Sequence, residues 1–210
     1  MCRSIPNKGV KVSTFIASSA IISSDAFIGE GAKIWHHVQI RENVKIGRNC
    51  VISKSVYIDA GVTILDNVKI QNHASIYAPA YIESGVFIGP NVVLTNDKNP
   101  RATNEKGQSK SERDWDKQGV IVREGASLGA GSICVAPVEI GQWAMVGAGS
   151  VIVKNLTAFG LYVGAPAKRI GWVGKSGVML SILEDGLFNC PISNIKYREI
   201  EGVLVEVMDA

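Results

Sequence analysis

Cysteine is scarce in this 210-residue chain. Cys2, Cys50, Cys134 and Cys190 stand far apart, and nothing in their spacing suggests a disulfide framework. Excess charge is scarce too. A formal net charge of +3 gives no reason to expect nucleic acid or a membrane surface as a partner. No run of eighteen apolar residues occurs, so no transmembrane helix is expected. Residues 1–15 lack the apolar stretch of a signal peptide. These absences together predict a cytoplasmic protein. Histidine occurs only at His36, His37 and His73, which bears on the chemistry below.

What the chain has is 46% hydrophobic residues, ample for a core, in a strict order. From Ile16 to Leu94 every sixth residue is aliphatic: thirteen isoleucines and a closing leucine. Four places after each isoleucine comes a small apolar residue, from Ala20 to Val92. A helix repeats at 3.6 residues and a flat strand at two, whereas a period of six marks a parallel β-helix. Each unit makes one short strand and one turn. Three units close a triangular coil of eighteen residues, and coils stack backbone to backbone at about 4.8 Å. The aliphatic residue fills the coil, and the small one lets the chain round a corner. Cys50 and Cys134 fall on inward positions and read as small core residues.

Residues 1–15 form a lead-in. Units opening at Ile34, Ile52, Ile70 and Ile88 lie eighteen apart and are predicted to stack on one face. That brings Trp35, His36, His37, Lys54, Gln71, Asn72 and His73 together as the most chemically loaded part of the solenoid. After Leu94 the ladder breaks. It resumes at Val122, twenty-eight positions on where six would suffice, so about twenty-two residues are extruded. This arm, residues 95–119, carries Asn96, Asn99, Pro100, Arg101 and Trp115, and reads as a cover over a site.

The repeat continues through Leu128, Cys134, Ile140, Val146 and Ile152, with a bare Gly147-Ala148-Gly149 turn and Lys154 after it. Gly164-Ala165-Pro166-Ala167-Lys168-Arg169-Ile170-Gly171 closes the solenoid. A cationic pair beside bare backbone N–H groups suits phosphate. Residues 16–174 are thus one all-β solenoid domain. Residues 175–210 form a cap over its open apolar end, expected as a short helix at 178–187 and a hairpin of 197–200 with 203–207. Cys190-Pro191 has half the form of a zinc ribbon, but no second cysteine follows at useful spacing.

The repeat, the arm and the closing Gly-Ala-Pro-Ala-Lys-Arg-Ile-Gly resemble the left-handed β-helix acyltransferases of the hexapeptide-repeat family. The left hand is implied by that resemblance; the usual crossover rule would not predict it. Finer motifs are Ile34-Trp35-His36, Lys69-Ile70-Gln71-Asn72, Thr95-Asn96, Asn99-Pro100-Arg101, and Val163-Gly164-Ala165-Pro166-Ala167 with Ile170-Gly171-Trp172. These are similar to the bacterial N-acetyltransferases of nucleotide-linked 3-amino sugars. Such enzymes use acetyl-CoA in O-antigen and other surface-polysaccharide (lipopolysaccharide) pathways, and are homotrimers with sites between neighbouring solenoids.

The resemblance implies a UDP- or dTDP-linked sugar, with Asn72 at its amine. It places Trp35, His36, Lys54, Gln71, Asn96, Asn99 and Arg101 around the nucleotide sugar. Gly129, Gly147, Ala148, Lys154, Ala165, Pro166, Lys168 and Arg169 would follow coenzyme A. At His73 a second Asn is common in the family, which leaves His73 open as a base.

A sugar amine with a pKa near ~8, like an α-amino group, is partly neutral at pH 7 and can attack a thioester with little help. The protein would then contribute proximity and an oxyanion donor such as the Gly147 N–H, with Asn72 orienting the amine. A hydroxyl needs a base, so the alternative is a sugar O-acetyltransferase using His36 or His73. A γ-type carbonic anhydrase shares the fold, but His37 and His73 are two coils, roughly 9–10 Å, apart. Zinc bonds of about 2.1 Å cannot bridge that, and no metal is expected. A scaffold built only for assembly leaves the arm and the loaded face without a role.

Overall fold

A computed structural model describes residues 13–111, 113–114 and 116–207; most of the lead-in, and Trp115, lie outside the described residues. The ladder becomes two-residue strands, each ending on its aliphatic residue, as in Lys33–Ile34, Val51–Ile52 and Lys69–Ile70. Ile16, Ile34, Ile52, Ile70 and Ile88 pair in parallel register at eighteen-residue steps, so one coil is three units. The first face, carrying these residues, is a nine-stranded sheet. The second, with Ile22, Ile40 and Ile58, has seven strands, and the third, with Ile28, Ile46 and Ile64, has six. The aliphatic residues from Ile34 to Leu94 are almost wholly buried and form one continuous core. At the start of the solenoid Ile16 is 48% exposed, since no described coil lies beyond it.

The corners explain the small and polar residues between the aliphatic ones. After the first face, the third corner residue has a left-handed backbone: φ is 59° at His37, 59° at Ser55, 62° at His73 and 57° at Asn91. That region favours Gly and Asn over bulky residues. The inward fourth position tolerates a hydroxyl where a backbone acceptor is near. Ser132 and Ser150 are buried there and donate to the carbonyls of Gly129 and Gly147, both at 2.7 Å. Cys50 and Cys134 are buried core residues, and burial pushes the Cys134 thiol up to about 12.

The arm leaves the second face after Leu94 and returns to the third at Val120. Ile82 pairs directly with Val122, so the coils close over the insertion with their spacing intact. Its base is fastened by the Asn96 side-chain amide donating to the Ala78 carbonyl at 2.9 Å, and by the Gln118 N–H donating to the Asn96 carbonyl at 3.2 Å. Farther out, Thr103 bridges Ser109, and the Asn104 side chain accepts from the Lys106 and Gln108 N–H groups. Arg123 ties the flanking coils together, contacting Glu83 and Glu139 at 2.8 Å each.

The cap is a four-stranded antiparallel sheet of Ser181–Ile182, Phe188–Asn189, Lys196–Ile200 and Val203–Val207. The expected hairpin is present. The helix expected at 178–187 is not: Ser181–Ile182 pairs with Phe188–Asn189 across a turn containing Gly186 at φ 77°. Asp185 accepts from the Leu187 N–H in that turn, the local bond that makes Asp a turn residue rather than a helical one. Leu180, Cys190, Tyr197 and Leu204 pack on Phe159 and Trp172 at the end of the solenoid. Burial raises the Cys190 thiol, but hydrogen bonds from Ser176, Ser193 and the backbone more than offset it and bring it to about 7.

Candidate active site

The corner between the first and second faces gathers most of the predicted site. At its second position His36, Lys54, Asn72, Pro90, Ala130 and Ala148 stack coil upon coil. The Ser55, His73 and Asn91 N–H groups donate at 3.0 Å to the carbonyls of His36, Lys54 and Asn72. An open groove of about 290 Å³ is lined by Trp35, His36, Ser53, Lys54 and Asn72. Gln71 is half-buried next to it, and Asn72 and His73 are exposed. The Asn72 side chain makes no hydrogen bond among the described residues, so its oxygen and NH₂ are available to a ligand. Ser19, one coil earlier, accepts from the His37 N–H at 3.2 Å and bonds the His36 Nδ1 at 2.9 Å. That bond holds the imidazole, which also lines the groove. Phe15 packs against Trp35 with ring centroids 5.3 Å apart and the planes tilted by 56°.

Towards the cap the residues of the same corner become small. It passes Gly129, Gly147, Ala148 and Gly149 to the Gly164-Ala165-Pro166 turn, where the Val151 N–H donates to the Gly164 carbonyl at 3.0 Å. Gly129 is packed so closely that an added β-carbon would lie 2.5 Å from the Ala148 nitrogen. The Gly147 N–H donates to the Tyr162 carbonyl at 2.8 Å and is not free to serve an oxyanion. Asn72 and Ala148 are three coil steps apart, roughly 14 Å at the stacking distance.

Other predicted residues fall elsewhere. Lys154 follows Ile152 on the second face and so sits at the next corner, with the arm. Lys168 lies in the strand Lys168–Trp172, paired with Val163 beside the closing turn. Arg169 is held by the cap: it stacks 4.0 Å over Trp172, meets Glu199 at 3.6 Å, and donates to the Gly202 carbonyl at 3.3 Å. Asn96, Asn99 and Arg101 belong to the arm, which springs from the corner after the second face. The arm's clefts of about 520 and 650 Å³ are lined by its own residues and Pro137. Within one chain a full face separates these residues from Asn72.

Two groups escaped the sequence reading. Ser53 lines the groove and Ser19 anchors His36, and counting eighteen back from Gln71 and from His37 would have found them. At the arm's base, the Tyr57 hydroxyl donates to Asp59 at 3.0 Å, Arg41 approaches the same carboxylate at 3.5 Å, and Tyr77 packs on Tyr57 at 5.6 Å. No short motif announces that cluster.

Comparison with known proteins bears on this geometry directly. The bacterial transferase hexapeptide model (six repeats) matches residues 25–60 and 61–96, and the hexapeptide repeat of succinyl-transferase matches 43–78 and 119–154. The chain belongs to the hexapeptide-repeat acyltransferase superfamily. The second model resumes where the ladder does, which places the arm in this superfamily member as an insertion between repeats.

A dTDP-3-amino-3,6-dideoxy-α-D-galactopyranose 3-N-acetyltransferase of Aneurinibacillus thermoaerophilus is 34% identical over 88 residues, 42% of this chain and 45% of that protein. The chain thus spans less than half the length of that relative. The UDP-N-acetylglucosamine acyltransferase of Francisella novicida superposes with a TM-score of 0.55 at 15% identity, over 78% of this chain and 70% of that one. A hexapeptide transferase family protein of Anaplasma phagocytophilum gives 0.50 at 20%, over 80% and 87%. At such identities these structures share the fold alone with the superfamily member described here.

Proposed function

We propose that this chain transfers the acetyl group of acetyl-CoA to the amine of a nucleotide-linked 3-amino sugar (UDP or dTDP) for surface-polysaccharide synthesis. The observation that carries this reading is the first corner, where a groove of His36, Lys54 and Asn72 runs on past Pro90 into a track of small residues, Gly129, Ala130, Gly147 and Ala148. The sugar occupies the groove. Coenzyme A lies along the track past Gly129, Gly147 and Ala148, with Ala165, Pro166 and Lys168 at its far end. The similarity to a 3-amino-sugar N-acetyltransferase supports the same assignment.

The Asn72 side-chain oxygen accepts from the amine and aims its lone pair at the thioester carbon. The N–C bond forms, the C–S bond breaks, and the proton lost by nitrogen leaves with the thiolate as free thiol. Orientation rather than strong base catalysis does this work, because the amine is already a nucleophile. Lys54, one coil from Asn72, faces the negative part of the substrate.

The separation of arm and groove within one chain supports an assembly in which Asn96, Asn99 and Arg101 of one copy cover the groove of the next, as in a homotrimer. Lys154, at the arm's corner, would then reach coenzyme A held by a neighbouring copy.

The test is thiol release from acetyl-CoA with a panel of nucleotide-linked amino and hydroxy sugars. The expected product is an amide that resists hydroxylamine. A hydroxylamine-labile product made from hydroxy sugars would replace this reading with O-acetylation, for which the Ser19-anchored His36 is the base.

A further inference from the structure

The last strand of the cap among the described residues is exposed, yet four of its five residues are aliphatic. Val203–Val207 is outermost in its sheet. It pairs on one side with Lys196–Ile200 and, among the described residues, with nothing on the other. Exposed edges are normally blunted by lysine, proline or a bulge. This one reads Val-Leu-Val-Glu-Val with an unbroken register, and its one charge, Glu206, is paired with Lys175 at 2.6 Å. Leu204 is buried beneath it, yet Val203 and Val205 on the opposite surface are 45% and 46% exposed, beside Ile200 at 52%.

The turn fixes which backbone groups face outward. Ile200 and Val203 flank Glu201 and Gly202, whose φ values are 51° and 79°, a two-residue turn of type I′. Its closing pair exchanges both hydrogen bonds, and the alternation along an antiparallel ladder then directs Val203, Val205 and Val207 inward to Lys196–Ile200. The N–H and C=O groups of Leu204 and Glu206 are left pointing away from the sheet.

We propose that this edge pairs antiparallel with the same strand of a second copy, about a two-fold axis through Val205. Leu204 then faces Glu206 of the partner subunit, and these two residues of each copy exchange four backbone hydrogen bonds. Val203 faces Val207, and Val205 faces itself. No two like charges are opposed, as cross-strand pairing requires. An axis through Glu206 would set two carboxylates against each other. An axis through Leu204 would need the Gly202 carbonyl, which Arg169 already occupies. The valines of both copies form one apolar stripe across an eight-stranded sheet, a closed isologous contact. This contact is independent of the reaction assigned to the groove.

The test is register-specific cross-linking in a Cys2→Ser background, where the remaining Cys50, Cys134 and Cys190 are buried. Opposed residues that do not exchange hydrogen bonds have Cα atoms about 4.5 Å apart, within disulfide reach. Oxidised Val205→Cys should therefore give two-chain dimers on a non-reducing gel. Val203→Cys should not, because its own counterpart is about 14 Å away along the strand, but it should join Val207→Cys in a mixture. Light scattering should show the wild-type assembly at twice the mass of Val205→Lys, with equal far-UV dichroism and melting temperature. If Val205→Lys is misfolded, the cysteine pattern decides alone. Equal masses for two folded proteins, or Val203→Cys cross-linking as fast as Val205→Cys, would overturn the proposal. So would wild type at the smaller mass that floats with lipid vesicles or pairs with another protein.

Discussion

A β-carbon on Gly119 would stand 1.4 Å from the carbonyl oxygen of Pro79. The returning limb of the arm crosses the coil below at backbone contact, and only a residue without a side chain passes there. Gly119→Ala must shift the limb or the coil. It should cost about 1–3 kcal/mol of stability, the usual range for forced overpacking, read from the urea midpoint. Acetyl transfer should fall with it, since the Asn96 bonds that fasten the arm lie at the same place.

Asn72 is exposed and unbonded, so removing its side chain should not touch stability. Asn72→Ala should keep the wild-type melting temperature and lose about a hundredfold in rate at saturating substrates, the scale of a misplaced reactant. An unchanged rate would take Asn72 out of the mechanism.

His73 has a left-handed backbone that asparagine also adopts readily. His73→Asn should fold normally and keep its rate within about threefold, a small loss of transition-state stabilisation. The pH–rate profile should keep its shape. Loss of a titrating limb together with most of the rate would make His73 the base and favour O-acetylation.

Hydrogen bonding to Arg123 holds the Glu139 carboxyl below the usual carboxylate range. A carboxyl with a depressed folded pKa contributes stability that is complete above its unfolded value, about 4.3, and is lost as pH falls through the folded one. Arg123→Ala should therefore lower the urea midpoint at pH 7, and its difference from wild type should shrink by pH 3. Both side chains are partly exposed, so salt should reduce the pH 7 difference as well.

The solenoid was legible because its core repeats with every unit. Ile34 and Ile52 declare their own pairing, and the same count puts Lys54 and Asn72 on one corner. Counting further would have placed Lys154 after the second face rather than near Gly147, and would have set Leu94, where the arm begins, one face away from Asn72. Where the period ends, so does the reading. Leu180, Leu183 and Leu187 have helical spacing, but Asp185 and Gly186 turn the chain between them and Ile182 is left in solvent. Arg169 looked available for phosphate because Glu199, thirty residues on, gives no local sign that it will meet it. The engagement of the Gly147 N–H likewise depends on Tyr162, which reaches it only when the last coil closes.

The direct pairing of Ile82 with Val122 makes the arm a detachable part. Its length and sequence can drift while the prism keeps its pitch, because no rung of the ladder is supplied by the excursion. With the arm in its proposed role over the sugar, substrate preference can diversify by exchanging one loop, leaving the architecture that presents it untouched.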